Sequence, residues 1–379
     1  MRILLTGATG FVGAHLLARL LADTEAEIVC TARAADVPEA TARIHATLTR
    51  HGITPDARAS ARLTVLPAYL ARTDLGLPRE TLADLAAACD AIFHNAATVS
   101  IMRDYATLRA ANTESTRQLL RLAAVNTTPL HYVSTLSVAP PVSHSSEVPE
   151  AFLPPHEDLR YGYQQSKWAS ERLLEQAAER GLPVTVHRLG RVVGPAGTGY
   201  VNERDFLWSV LRAGIPEGIV PELFEDEIWT PVDFVARSLV HLSLVPDATA
   251  TGQVFNHATL PRVRLSDVYD WVREYGYPVR SLPLARWREQ LPRSADAAAT
   301  TLAFFDSADD VFADRTRAAD LRLGHVRADR VRAGLAGTGI TCPPVDRDLF
   351  FRHLDHCVTA GVLPAPARPS VPRSGVAAK

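Results

Sequence analysis

Leu4-Leu5-Thr6-Gly7-Ala8-Thr9-Gly10-Phe11-Val12-Gly13-Ala14-His15-Leu16-Leu17-Ala18-Arg19-Leu20-Leu21 carries the decisive pattern. A short apolar run ends at Thr6 and glycines follow at positions 7, 10 and 13. Apolar residues then recur at three- and four-residue spacing, which reads as a buried strand, a tight turn and a helix. Glycines in such a turn let a pyrophosphate approach the backbone N–H groups of a helix N-terminus, where the dipole favours negative charge. Close strand–helix packing alone also asks for glycine, so the remainder of the chain decides between the two.

Strand-like runs recur at Glu27–Ala32, Arg62–Leu66, Ala91–His94, Leu130–Ser134 and Pro183–Arg188, each separated by a helical stretch or its loop. Strands alternating with helices imply a parallel sheet covered on both faces, so the expected fold is α/β, a doubly wound (Rossmann) sheet. The clearest helices are Asp104–Ala124 and Tyr161–Arg180, the second stopped by Gly181. Between Val138 and His156 the periodicity vanishes among five prolines, the mark of a long loop placed to cover a ligand. Beyond Gly194 the strict alternation fails. Residues 204–213 look helical, and Gly252–Asn256 return one strand to the sheet. The expected organisation is a dinucleotide-binding domain over 1–195 plus about 228–258, and a smaller, mostly helical substrate-binding part over 196–227 and 259–363. A proline-rich flexible tail over 364–379 completes it.

The 379 residues are 47% hydrophobic and 22% charged, which excludes disorder as the main state; a formal charge of -2 gives no field to attract nucleic acid or an anionic bilayer. The apolar stretches His15–Ala22 and Val235–Val245 fall short of a membrane span, and no basic-then-apolar leader is seen. A cytoplasmic location is expected, with no membrane and no nucleic-acid partner. Cys30, Cys89, Cys342 and Cys357 lie far apart and read as free thiols; the sequon at Asn126 has no use without a leader. Lys167 and Lys379 are the only lysines, so a lysine where this chain otherwise uses Arg is informative.

Within the glycine turn, Thr6, Gly7, Thr9, Gly10, Phe11, Val12 and Gly13 are the candidate cofactor-binding residues. A free ribose 2′-hydroxyl is usually held by an acidic residue at the end of the second strand, and a 2′-phosphate by a guanidinium. Here the strand ends in Arg33 with no acidic neighbour before Asp36, which favours NADP(H) over NAD, and Arg43 on the next helix is placed to assist. Tyr163 and Lys167 are four apart and share one helical face, so the ammonium can sit beside both the phenol and a nicotinamide ribose and lower the tyrosine pKa. A surface Tyr and Lys on a solvated face is the alternative. Upstream, Ser134, Thr135 and Ser137 crowd the C-terminal end of a strand, where ligands of parallel sheets bind; spacing does not choose among them.

These features resemble the extended short-chain dehydrogenase/reductase superfamily. The likeness is strongest to the thioester reductase domains of nonribosomal peptide synthetases and carboxylic acid reductases. It rests on LLTGATGFVGAHLLARLL (4–21), TAR (31–33), FHNAATV (93–99), LRAANTESTRQLLRLA (108–123) and LHYVSTLSV (130–138). GYQQSKWASERLL (162–174), RLGRVVGPAGTGYVNERDF (188–206) and TPVDFVARSLVHL (230–242) extend it, so that it covers about residues 1–245. The resemblance implies a catalytic triad of Thr135, Tyr163 and Lys167, with Asn95, Ala96 and Gly190 joining the cofactor site. Three positions depart from the usual pattern: Tyr69 where an Asp is common, Ser115 in place of a frequent Gly, and Leu189 where Pro is usual. The implied reaction is NADPH-dependent reduction of an acyl or peptidyl thioester on the phosphopantetheine of a carrier protein, releasing an aldehyde or, after a second hydride, an alcohol. The chain is expected to meet its carrier in trans.

Other readings of the same residues are reduction of an acyl-CoA or a free carbonyl compound, and an NAD-dependent nucleotide-sugar epimerase or dehydratase, which Arg33 argues against. A catalytically silent NADP sensor would not need the Tyr and Lys. His353, Asp355, His356 and Cys357 read as one helix rather than a metal site, and no metal is expected. The arginine-rich stretch Asp314–Arg332 reads as a solvated helix surface or as a dock for an acidic carrier.

Overall fold

The computed structural model describes residues 1–100, 102–140, 147–223, 226–244, 251–292, 301–302 and 325–366. Seven strands form one sheet: β1 (Arg2–Thr6), β2 (Glu27–Ala32), β3 (Leu63–Pro67), β4 (Ala91–His94), β5 (Leu130–Thr135), β6 (Val184–Leu189) and β7 (Gln253–His257). Their spatial order is β7-β6-β5-β4-β1-β2-β3, and every neighbouring pair is parallel. The chain therefore leaves β1 toward β2 and β3 and later returns to the other side of β1 as β4. That reversal opens a crevice at the carboxyl ends of β1 and β4, where ligands of doubly wound sheets bind.

Alternation along each strand supplies both faces. Ile3 and Leu5 of β1, Ile28 and Cys30 of β2 and Phe93 of β4 pack under Leu16, Leu17 and Leu20 of α1 (Phe11–Asp23), Ile44 and Leu48 of α2 (Val37–Arg50), and Val235 and Leu239 of a helix at Val232–Leu244. On the other face, Leu4, Val29, Ile92, Tyr132 and Val186 pack against Leu119 and Leu122 of α3 (Ser115–Asn126) and Leu174 of α4 (Gly162–Glu179). Each such leucine or isoleucine, fully buried, contributes about 1.5–3 kcal/mol.

The helix expected at Asp104–Ala124 is divided. An α-helical turn at Tyr105–Arg109 passes through a π-turn at Ala110–Glu114 before α3 begins. Competition by side chains accounts for the wider turn. The Asn112 carbonyl accepts the hydroxyls of Thr116 at 2.7 Å and of Ser115 and Ser170 at 3.2 Å. Helix α4 starts and stops where the glycines are. A Cβ on Gly162 would lie 2.5 Å from the Tyr105 amide nitrogen and closer still to Asp104 and Arg103, and Gly181 takes φ +89 just past the helix end.

By its contacts the chain divides into two compact units. The first comprises 1–192, 228–261 and 319–343, and the second 193–227, 262–318 and 344–379. The expectation that grouped 259–363 together is corrected for residues 325–343. His325–Val326 pair in parallel with Glu147–Val148, and Val331 and Leu335 pack with Phe234, Leu242 and Phe255 of the first unit. The second unit is mostly helical, with helices at Phe206–Gly214, Leu265–Tyr275, Leu284–Gln290 and Arg347–Thr359 and two short strand pairs. Trp208 stacks on Phe350 inside it. Of the expected tail, residues 367–379 lie outside the described residues, as do 141–146 of the proline-rich loop. Among the described residues no helix is long and apolar enough to cross a membrane.

Candidate active site

The crevice at β1 and β4 is shaped by the glycine turn. Gly7 takes φ +80, and a Cβ there would meet the Ala96 amide nitrogen at 2.6 Å; one on Gly13 would collide with the Gly7 carbonyl oxygen. The Asn95 side-chain amide donates to the Gly7 carbonyl at 3.2 Å, and the Ala96 N–H donates to Thr6 Oγ1 at 3.2 Å, so the turn and the end of β4 hold each other. Thr6, Gly7, Gly10, Gly13, Asn95 and Ala96 are therefore brought together. Helix α1 opens at Phe11 with no side chain capping it and no carboxylate in its first turn. Its dipole and the cradle that a Cβ would fill both fit a pyrophosphate. Gly190 follows β6, and a Cβ on it would lie 2.5 Å from the Ile228 carbonyl oxygen.

Arg33 is exposed at the end of β2, and Arg43 is exposed on α2. Asp36 accepts the Glu39 N–H at 2.8 Å as the cap of α2, and Glu39 Oε2 accepts the Ala35 N–H at 2.7 Å. Both carboxylates nearest the strand end are thus turned onto backbone amides of their own turn.

Beneath the turn lies a buried polar relay that the sequence did not disclose. Thr6 Oγ1 is 2.8 Å from His94 Nδ1, and His94 Nε2 is 3.1 Å from Thr116 Oγ1. Thr116 gives its proton to the Asn112 carbonyl, which makes His94 Nε2 the donor to Thr116 and Nδ1 the acceptor from Thr6. Burial, with Lys167 adding to it, brings His94 down to about 3, so the ring is neutral. Asn112 accepts the Thr98 N–H at 2.7 Å and donates to Thr98 O at 3.1 Å and to Ser166 Oγ at 2.9 Å. Its side chain thus ties the segment after β4 to α4. A polar residue within an amphipathic helix gave no sequence signal for this.

At the end of β5 alternation separates the three hydroxyls. Ser134 is buried and donates to Glu171 Oε1 at 2.6 Å. Thr135 and Ser137 are half-buried and 3.1 Å apart, and the Ser137 N–H donates to Thr135 Oγ1 at 3.2 Å. Gln164 on the first turn of α4 donates to the Ser137 carbonyl at 2.6 Å and fixes the helix start to this strand end.

Lys167 is buried; its ammonium donates to the Val133 carbonyl at 2.7 Å and lies 4.4 Å from the centre of the Tyr132 ring. Burial brings it down to about 7, opposed by Glu171. Tyr163 is half-buried one turn earlier, and its phenol is shifted upward by burial and then by Tyr161. The expected lowering by the ammonium is therefore corrected: burial moves the phenol upward. A phenol above its ordinary range keeps its proton at neutral pH.

Glu171 and Arg188, which the sequence did not flag, form a fully buried ion pair behind these groups. Of the arginine-rich stretch, residues up to 324 lie outside the described ones; Arg327 pairs with Glu147 at 3.2 Å and with Asp329. His353 and Cys357 face inward on the helix Arg347–Thr359 of the second unit.

Residues 5–239 match the male sterility protein family, a family of NAD-binding domains. The chain is 68% identical over 369 residues to the isonitrile lipopeptide synthase of Streptomyces coeruleorubidus, covering 97% of this chain and 25% of that protein. It is 31% identical over 366 residues to a subunit of the linear gramicidin synthase of Brevibacillus parabrevis, covering 95% of this chain and 7% of that one. The chain thus spans a quarter or less of these relatives. Among solved structures, the terminal R domain from the myxalamid PKS-NRPS biosynthetic pathway superposes with a TM-score of 0.84 at 34% identity, covering 96% of this chain and 92% of that one.

Proposed function

We propose that this chain, which belongs to the male sterility protein family of extended short-chain dehydrogenase/reductases and resembles the reductase domains of nonribosomal peptide synthetases, is an NADPH-dependent thioester reductase. Its substrate is an acyl or peptidyl group held as a thioester on a carrier protein, and its product is an aldehyde. The observation that carries this reading is that the helix bearing Tyr163 and Lys167 is tied by the Lys167 ammonium to the Val133 carbonyl, two residues before Thr135 on β5, in the same sheet whose β1 carries the glycine turn. NADPH, rather than NADH, is supported by the exposed Arg33 at the end of β2 and by the engagement of Asp36 and Glu39 with backbone amides.

Bound reduced nicotinamide supplies the hydride. The rest falls to the chain's own residues. Thr135, its oxygen already accepting the Ser137 N–H, aims its proton at the carbonyl oxygen of the thioester. The Tyr163 phenol, protonated because burial raises it, hydrogen-bonds the same oxygen and neutralises the charge that develops there. The Lys167 ammonium supplies a positive field on the same helical face. Collapse of the resulting thiohemiacetal expels the thiol and leaves the aldehyde. The carrier delivers its pantetheine thioester from a separate polypeptide or from a neighbouring domain. The relatives named for lipopeptide and gramicidin synthesis point to acyl and peptidyl thioesters as substrates.

The test mixes the protein with NADPH or NADH and an acyl-pantetheine, acyl-CoA or acyl-carrier thioester, following nicotinamide oxidation together with trapping of the aldehyde. Turnover fastest with NADPH and the carrier-bound thioester is expected. No oxidation with any thioester, alongside turnover of free carbonyl compounds, would overturn the reading.

A further inference from the structure

Behind the catalytic face, one carboxylate joins three pieces of the site. Ser134, adjacent to Thr135, donates to Glu171 Oε1 at 2.6 Å. Arg188 of β6 grips the same group, Nε at 3.0 Å from Oε1 and Nη2 at 2.6 Å from Oε2. The side chains of Arg188 and Glu171 are 0% and 2% exposed. The guanidinium also donates to the Pro149 carbonyl at 3.3 Å and the Ala151 carbonyl at 2.9 Å, holding the chain where it returns from the proline-rich loop. Glu171 itself lies four residues after Lys167, on the same face of α4.

A buried ion pair is a poor device for stability alone, because apolar replacements of similar volume are often neutral or better. Its position here explains it. We propose that Glu171, gripped by Arg188, is the positioning carboxylate of this site: it is the counter-charge for the buried Lys167 ammonium and it locks the strand end bearing Thr135 to the helix bearing Tyr163. The proposal rests on the reading of those three residues as catalytic. Among the described residues, the Lys167 ammonium meets the Tyr132 ring and the Val133 carbonyl of β5 and is coupled electrostatically to Glu171 of its own helix and to the neutral His94 of β4, with Arg188 of β6 behind Glu171 and Tyr163 one turn earlier on the helix. Glu171 is the only carboxylate in that set. Burial works against the ammonium's charge and Glu171 in its favour.

Because Lys167 and Lys379 are the only lysines, lysine labelled with carbon-13 at Cε gives two side-chain signals in the whole protein, and Lys167→Arg assigns them. Lys167 in the wild type is expected to titrate near 7. Glu171→Gln removes the attraction and leaves Arg188 uncompensated, so its titration point drops by about one unit or more. Glu171→Met with Arg188→Met removes both charges at similar volume, and its titration point falls between the two. If Glu171→Gln fails to fold, the double variant still decides. Folded variants in which Lys167 titrates as in the wild type would overturn the proposal. Where thioester turnover is present, the alkaline limb of the kcat profile, set by loss of the ammonium, moves down by the same interval as the nuclear magnetic resonance shift. A wild type without turnover sinks the thioester reading and leaves the titration result standing.

Discussion

The Tyr163 phenol is held one turn before an ammonium that is itself pinned to a strand carbonyl, and burial keeps its proton in place. Tyr163→Phe keeps the ring's volume and removes that proton. It should lower kcat by about 10²–10⁴-fold and leave the NADPH Kd within about twofold, as measured by single-turnover kinetics and fluorescence titration. In the proposed function Arg33 acts on the other end of the cofactor. A charge-assisted hydrogen bond contributes about 1.5–3 kcal/mol, so Arg33→Ala should raise the NADPH Kd by about tenfold or more while NADH changes little. An equal loss for both cofactors would move the 2′-phosphate contact elsewhere, with Arg43 the next candidate. Sequence singled out these residues because each breaks a local habit: a lysine in an arginine-rich chain, an arginine where an acid is common. It did not disclose Glu171 and Arg188. A Glu four after a Lys on a helix looks like an ordinary surface pair, and an Arg near a strand end looks like an edge. Only the sheet shows that both are buried.

At the scale of elements, the strands were legible because burial on both faces leaves near-continuous apolar runs, and the order of strands and helices then fixed the crevice at β1 and β4. The π-turn at Ala110–Glu114 was not legible, since a single widened turn hardly alters helical periodicity, and the side chains that stabilise it come partly from Ser170 of α4, 58 residues from Asn112. That turn and Gly162 together bring the segment after β4 against the start of α4. Gly162→Ala places a methyl group against the backbone of Arg103, Asp104 and Tyr105. Backbone cannot rotate away as a side chain can, so a loss of about 1–3 kcal/mol is expected, read as a lower urea midpoint. Because Tyr163 is the next residue, kcat should fall as well, with NADPH affinity affected less. A variant with wild-type stability and rate would show that α4 tolerates displacement at its first turn.

Across the whole molecule the most consequential shared property is a set of neutral, buried imidazoles. His187 Nδ1 is 3.1 Å from His257 Nε2, His187 Nε2 is 3.0 Å from Ser243 Oγ, and His131 Nδ1 is 2.8 Å from Thr185 Oγ1, a polar seam across β5, β6 and β7. Burial lowers His131 to about 3, His257 to about 4 and His187 well below 6.5, and His94 stands at about 3 on the neighbouring strand. In the unfolded chain these rings return to about 6.5. Below that value the unfolded state binds protons that the folded state refuses, so stability is complete above about pH 6.5 and is lost as pH falls toward about 4, where the highest of these folded values lies. With four rings contributing, the slope in the middle of the window is on the order of 5 kcal/mol per pH unit, against a typical total of about 5–15 kcal/mol. The sheet should therefore lose its cooperative fold within one to two pH units below 6.5, well before the carboxylates titrate. Urea midpoints measured at intervals from pH 7.5 to 4.5 would report the slope directly. His131→Asn, which keeps a hydrogen-bonding group beside Thr185 but cannot ionise, should reduce it by about one proton. A flat profile down to pH 5 would mean that the folded protein accommodates charge in this seam, and the neutral assignment of these rings would be wrong.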